Sequence, residues 1–282
     1  MNSLVAVAVA LSIGQGEARR ESITGSVKPH PGIESKILGN KRDVWVYLPP
    51  NYDSEPSRRY PVLYMHDGQN VFNGMTSYVP NMEWRADEAA QALIKAKIVE
   101  PLIIVGISNA GMARGDEYLP TRRSMRGTEL GGKADAYGKF ITDELMPIID
   151  RTYRTKKGPQ DTGLCGSSFG GVVTMHLGLM RPEAFGKLAV VSPSVWWDDK
   201  VIVKNALALK KKPNQRIWLD MGTDEGADSV ANAGELKDAL VQKGWKEGKD
   251  LLFYIDAGAK HNEAAWAGRM DAILMWLFPA KG

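Results

Sequence analysis

A single cysteine, Cys165, stands in the chain of 282 residues, which excludes an intramolecular disulfide and a cysteine-rich zinc site. It precedes Gly166 in an apolar stretch, where a buried packing role is expected of it. Charge of one sign is missing as well. The 36 Lys and Arg face 33 Asp and Glu, a net charge of +3, with the two signs interspersed. A nucleic-acid surface gathers its basic residues on one face or tract, so no nucleic-acid partner is expected. The run Lys210-Lys211-Lys212, just before Pro213, reads as a solvated loop at a helix end. Long apolar runs are absent too, since residues 4–13 are too few to span a bilayer. No side chain over 1–16 is charged, and small residues follow at Gly16-Glu17-Ala18. That is the form of a secretory signal over 1–18, although it lacks the usual Lys or Arg in front. A secreted or periplasmic protein is the expectation. Without a Pro/Ser-rich linker or an internal repeat, residues 19–282 read as one domain.

What is present is an alternation of strands and helices. Residues 42–48 alternate around β-branched and aromatic side chains and stop at Pro49-Pro50. Residues 60–65 and 102–107 are compact apolar runs of the buried-strand type. Further strands are expected at 162–165, 187–191, 216–221 and 251–255. Helical spacing marks 83–98, 134–153, 172–180, 235–243 and Glu263–Leu277. The stripe through Tyr137, Phe140, Ile141, Leu145, Ile148 and Ile149 is the clearest of these. Such alternation implies a mostly parallel sheet covered on both faces, with ligands beyond the carboxyl ends of its strands.

The chemistry-bearing residues fall at those ends. Gly166-Ser167-Ser168-Phe169-Gly170 has the spacing of a nucleophile elbow, a tight strand-to-helix turn that lifts Ser168 into a cleft. A serine hydroxyl needs a base to take its proton. Four histidines are available. His30 lies in a proline-flanked segment, His176 lies inside the following helix, and His66 precedes the nucleophile. His261, between the last strand and the last helix, stands where the order serine, acid, histidine puts the base. The acid belongs in Asp220-Met221-Gly222-Thr223-Asp224-Glu225, where Glu225, Asp224, Asp220 and the nearby Asp228 all remain open. Asp220 is still within the strand and is expected to point sideways. Two amides should hold the oxyanion: that of Phe169, and that of Gln69 in the glycine-freed loop His66-Asp67-Gly68-Gln69-Asn70.

The run from Tyr60 to Asn70, then Asp116-Glu117-Tyr118-Leu119-Pro120, the elbow with Gly171, Gly222-Thr223-Asp224-Glu225 and His261-Asn262-Glu263 resemble the putative esterase family. That family includes enterochelin esterases, esterase D-like enzymes, feruloyl and acetylxylan esterases, and mycolyltransferases. The resemblance covers the chain from about Ser35 onward. It implies an α/β-hydrolase fold and a metal-free serine hydrolase. It also favours Glu225 as the acid, the last position of the Gly-Thr-x-acid segment.

Substrate is less legible. Segment 109–133 reads as a loop or small cap carrying Arg114, Arg122, Arg123, Arg126 and Lys133 against Asp116, Glu117 and Glu129. Arginines over a cleft, Arg114 first, suit an anionic substrate such as a catecholate siderophore, whereas mixed signs suit a salt-bridged surface loop. Trp196-Trp197 supply an aromatic wall and a core residue, Trp197 being the expected wall, with Trp84 contributing from the other side. A carbohydrate-linked or other small ester of feruloyl or acetyl type is the preferred substrate. A siderophore trilactone, acyl transfer by the same triad, and a non-catalytic binding protein are the alternatives. No metal cluster or cofactor fingerprint is visible, and no cofactor is expected.

Overall fold

The computed structural model describes residues 18–280 except Arg126. The apolar run at 4–13 that suggests export therefore lies outside the described residues. Eight strands form one sheet in the order β1-β2-β4-β3-β7-β8-β9-β10. These are β1 (Ser26–Ser35), β2 (Asn40–Leu48), β3 (Val62–His66), β4 (Ile103–Ile107), β7 (Thr162–Ser168), β8 (Lys187–Pro193), β9 (Arg216–Gly222) and β10 (Leu251–Asp256). β1 and β2 pair antiparallel, as do β2 and β4, and from β4 to β10 every pairing is parallel. A separate two-stranded hairpin joins β5 (Arg123–Met125) to β6 (Thr128–Leu130).

The parallel strands read as unbroken apolar runs because both of their faces are covered. Successive side chains leave on opposite faces. Val62 and Tyr64 of β3 enter one core, while Leu63 and Met65 enter the other. Leu188 and Val190 of β8 divide from Ala189 and Val191 in the same way. Helices α1 (Ala86–Lys95) and α8 (Glu263–Leu277) close one face through Ala90, Leu93, Trp266, Met270 and Ile273. The opposite face is closed by α3 (Ala134–Lys139), α4 (Met146–Thr152), α5 (Phe169–Met180), α6 (Trp197–Ala208) and α7 (Ser229–Gln242). Each large apolar side chain buried in this way contributes about 1.5–3 kcal/mol. Cys165 is a fully buried free thiol in that packing.

Three elements differ from the sequence reading. β1 is a strand despite Pro29 and Pro31, which an edge position tolerates because only one side of it needs its donors. Segment 109–133, expected as a loop or small cap, carries the regular elements α2 (Arg114–Tyr118) and the β5–β6 hairpin, which no periodicity marked. Helix α6 has no counterpart in the sequence pattern. Its first turn is left-handed at Asp198, Asp199 and Lys200, with φ of 44°, 51° and 61°, so periodic spacing starts only at Val201. Among the described residues, no helix is long and apolar enough to cross a membrane.

One buried carboxyl in this frame gives a stability prediction. Asp87, near the start of α1, is fully buried and accepts a 2.6 Å hydrogen bond from the Thr24 amide, while its Oδ1 has no partner. Burial pushes this carboxyl up to about 8, with neighbouring Glu88 adding and the Thr24 amide opposing. A carboxyl raised on folding stabilises when protonated, and that contribution is lost as pH rises through its folded value. Asp87→Asn is therefore expected to raise Tm by about 2–4 °C at pH 9 and to match wild type only near pH 4, where the unfolded carboxyl is itself largely protonated. Thermal melts at the two pH values check this, and an equal shift at both would contradict it.

Candidate active site

The carboxyl ends of β3, β7, β8, β9 and β10 bring the chemistry-bearing loops to one edge of the sheet, as parallel connections require. At the end of β7 the backbone of Ser168 has φ 60° and ψ −121°, a strained conformation that a tight strand-to-helix turn imposes. A Cβ on Gly166 would stand 2.8 Å from both the Gly170 carbonyl oxygen and His66 Cδ2. One on Gly171 would stand 2.9 Å from the Val191 carbonyl oxygen. At Gly170 the nearest atom is 3.4 Å away, an ordinary contact. The crowding thus falls on Gly166 and Gly171. Ser168 Oγ lies 3.3 Å from Ser194 Oγ. Phe169 opens α5, where the first amides have no partner within the helix and face the cleft end of the dipole.

Ser168 and His261 line the same open cleft, of about 520 Å³. His261 Nδ1 is 2.8 Å from Glu225 Oε2. Burial alone would raise the Glu225 carboxyl. Hydrogen bonds from His261, Ser192 and the Gly222 amide outweigh that and hold it below the usual carboxylate range. An ionised carboxylate only accepts, so Nδ1 donates and Nε2 is left as the free ring nitrogen. The other Glu225 oxygen accepts from Ser192 Oγ at 2.7 Å, the Gly222 amide at 2.8 Å and Arg269 at 3.3 Å. Among the four acids open in the sequence, the structure brings Glu225 to the histidine. Asp224 and Asp228 are exposed. Asp220 is fully buried and points sideways, accepting from the Ser192 amide at 2.9 Å, Trp218 Nε1 at 2.5 Å and Arg269 at 2.5 Å.

Gln69 sits in a 3-10 turn, Gly68–Asn70, after β3. Thr76 Oγ1 donates to its carbonyl at 2.7 Å, and its side-chain oxygen accepts from the Asn109 amide at 3.2 Å. The turn is anchored by Asp67, whose two oxygens take Arg114 Nε at 2.7 Å and Nη2 at 2.8 Å. Arg114 thus spends its fork on holding the donor loop, with its guanidinium 5.7 Å from the Phe169 ring centre. The other sequence-named histidines have structural partners. His66 is buried against Tyr137 and pushed down to about 4 by desolvation, His176 meets Asp135, and His30 meets Tyr153.

The tryptophans require correction. Trp197 is buried, donates to Thr121 Oγ1 at 3.1 Å and packs edge-on against Phe169. Its neighbour Trp196 is half exposed and lines the cleft with Met125, Phe169, Pro193, Val195 and Met221. Adjacent residues at the start of α6 face opposite ways, so only one of the pair reaches the cleft. Trp84 is buried against Trp266, on the α1–α8 face, and does not line the cleft. Sequence reasoning missed Ser192, Ser194, Met125 and Arg269. A signal for Arg269 exists: a cation on the buried stripe Trp266, Met270, Ile273 and Leu277 needs an acidic partner inside.

The family model described as "Putative esterase" matches residues 35–277. The chain belongs to the putative esterase family. This esterase is an ester hydrolase with an α/β-hydrolase fold. It is 28% identical over 214 residues to the ferri-bacillibactin esterase BesA of Bacillus subtilis, covering 69% of this chain and 71% of that one. It is 27% identical over 248 residues to the endo-1,4-beta-xylanase/feruloyl esterase of Xylanibacter ruminicola, covering 86% of this chain and 30% of that one. The crystal structure of the BES protein from Bacillus cereus superposes with a TM-score of 0.72 at 22% identity, covering 93% of this chain and 98% of that one. Among the described residues of this esterase, no group of three His, Cys, Asp or Glu could hold a metal ion.

Proposed function

We propose that this esterase hydrolyses a neutral carboxylic ester with a flat or apolar acyl group, carbohydrate-linked or otherwise small. Ser168 attacks the carbonyl while His261 takes its proton through Nε2. Glu225 holds the imidazole in that tautomer and stabilises the imidazolium. The amides of Phe169 and Gln69 receive the developing oxyanion. His261 then protonates the leaving alcohol and activates water against the acyl-enzyme.

The observation that carries the substrate reading is the cleft wall itself. Met125, Phe169, Pro193, Val195, Trp196 and Met221 surround Ser168, and among the described residues no Lys or Arg lines the cleft. Around it Arg114 pairs with Asp67, Arg122 with Glu129, Arg123 with Asp198 and Lys133 with Asp116. A trianionic ferric catecholate would find these four cations already paired, whereas an aryl ring would meet Trp196 and Phe169. The names of relatives such as the ferri-bacillibactin esterase support the second reading, a siderophore ester.

A panel of methyl ferulate, acetylated and feruloylated sugars, aryl acetates and a trilactone siderophore, with and without iron, separates the two. The expected order has the neutral aryl and sugar esters ahead by kcat/KM, and Trp196→Ala lowering kcat/KM for the aryl acyl group about 10-fold. A ferric trilactone outrunning every neutral ester would overturn the preference. Glu225→Gln is expected to lower kcat about 10³-fold, since an amide cannot hold the same tautomer, while Asp224→Asn stays within about threefold. Equal losses in the two would mean that the acid is placed wrongly.

A further inference from the structure

The donor loop and the histidine loop come from opposite ends of the chain, yet a side-chain bridge joins them. Asn70 follows Gln69 and closes the 3-10 turn. Its Nδ2 donates to Glu263 Oε1 at 3.0 Å. Its Oδ1 accepts from the Tyr78 amide at 2.8 Å, and its carbonyl accepts from the Trp84 amide at 2.8 Å. Asn70 is therefore a buried, fully tethered side chain with one arm reaching across to the last helix. Glu263 is the first residue of α8, two after His261, and Asn262 caps that helix by accepting from the Ala265 amide at 3.0 Å. Capping fixes where Glu263 leaves the helix, and a carboxylate at that position is favoured by the exposed amides of the first turn.

Its charged surroundings fit a place between the two loops. Asp67 and Arg114 from the donor side, and His261 from its own side, all act on the Glu263 carboxyl. Burial raises it above the ordinary range, Asp67 adds to that, and Arg114 and His261 oppose it. An oxyanion hole works only when its amide stands about 3 Å from where the oxyanion forms, and a 1 Å error in such placement costs about 10²-fold in rate. The Gln69 amide and the His261 ring must meet one substrate at once, so whatever fixes the distance between their loops bears on the rate.

We propose that Glu263 is a positioning residue which, through Asn70, fixes the Gln69 donor loop relative to the His261 loop. The proposal rests on the assignment of Ser168, His261 and Gln69 made above. It requires an acceptor at 263 that reaches Asn70, and it does not require the charge.

The test measures kcat, KM and inhibition by an arylboronic acid, whose tetrahedral adduct mimics the oxyanion, for wild type and variants. Glu263→Ala is expected to lower kcat for an aryl acetate about 10–100-fold with KM within about threefold, and to weaken the boronic acid comparably. Glu263→Gln, whose amide oxygen still accepts from Asn70, is expected to stay within about threefold of wild type. Asn70→Ala, which also strips the Tyr78 amide of its acceptor, should lose at least as much as Glu263→Ala, and the double variant should be no worse than Asn70→Ala alone, because the bridge is already gone. Wild-type kcat in Glu263→Ala, additive losses in the double variant, or equal damage from Glu263→Gln would each overturn the proposal. Ser168→Ala run in parallel separates the two levels. If it keeps activity, the assignment of the site has failed. If it is inactive while Glu263→Ala is unimpaired, only the positioning role has failed.

Discussion

Ser168→Ala is expected to lower kcat for an aryl acetate by about 10⁴-fold or more, leaving the residual that oxyanion donors and binding supply without a nucleophile. The reasoning is local. The left-handed backbone at residue 168 is imposed by the close passage of Gly166 over Gly170 and of Gly171 over Val191, none of which the substitution touches. Alanine inherits the same φ of 60° and the same strain, and loses a 3.3 Å contact with Ser194. Folding is therefore expected to be unaffected, with Tm within about 2 °C of wild type, since the hydroxyl contributes at most a weak hydrogen bond. Steady-state kinetics beside a thermal melt reads both quantities. Retained turnover in a folded variant would remove Ser168 from the mechanism, and with it the roles given to His261 and Glu225.

The second large effect belongs to a buried residue directly behind Glu225. Arg269 is 2% exposed and faces three carboxylates: Asp220 at 2.5 Å, Asp256 at 3.2 Å and Glu225 at 3.3 Å. It also donates to Ser192 Oγ at 3.1 Å, the hydroxyl that in turn donates to Glu225. Arg269→Met removes the cation and leaves buried carboxylates facing one another, a loss of about 3–5 kcal/mol. For a chain of this size that is a fall in Tm of roughly 8–15 °C. The pH dependence has a definite sign. Burial already pushes the Asp220 carboxyl up to about 6 with Arg269 opposing it. Without the cation it rises further, so the variant gains relative stability as pH falls and that carboxyl takes up a proton. The Tm deficit should therefore shrink between pH 8 and pH 5. A deficit that is small, or that widens on acidification, would show that Arg269 is not the counter-charge of this cluster.

How far the sequence carried the structure depends on what each residue answers to. The parallel strands were legible because burial on both faces leaves an unbroken apolar run, and β3, β4 and β9 begin and end within two residues of their expected bounds. β1 was not legible, since Pro29 and Pro31 argue against a strand unless its place at the edge is known. The first turn of α6 was hidden for a conformational reason, three left-handed residues that no periodicity encodes. At the site, the order of elements located the serine and histidine loops. It left Asp224 and Glu225 open because adjacent loop residues differ only in direction. The Gly222 turn, which leads Glu225 back toward its own Gly222 amide, settles which of them meets His261. Trp196 and Trp197 were confused for the same reason. Arg269 escaped because its partners lie 13, 44 and 49 positions away in sequence.

The prolines of β1 bear on how this molecule meets its own kind. An exposed sheet edge is a template on which a second chain can lay down a strand, provided each residue offers its amide or carbonyl in turn. In β1, the outermost strand on its side of the sheet, Pro29 and Pro31 withdraw two donors, and the register slips between His30 and Ile33. An approaching strand would meet a broken row of hydrogen-bonding groups on a bent edge. The feature that concealed β1 in the sequence is thus a guard against edge-to-edge association of the folded enzyme.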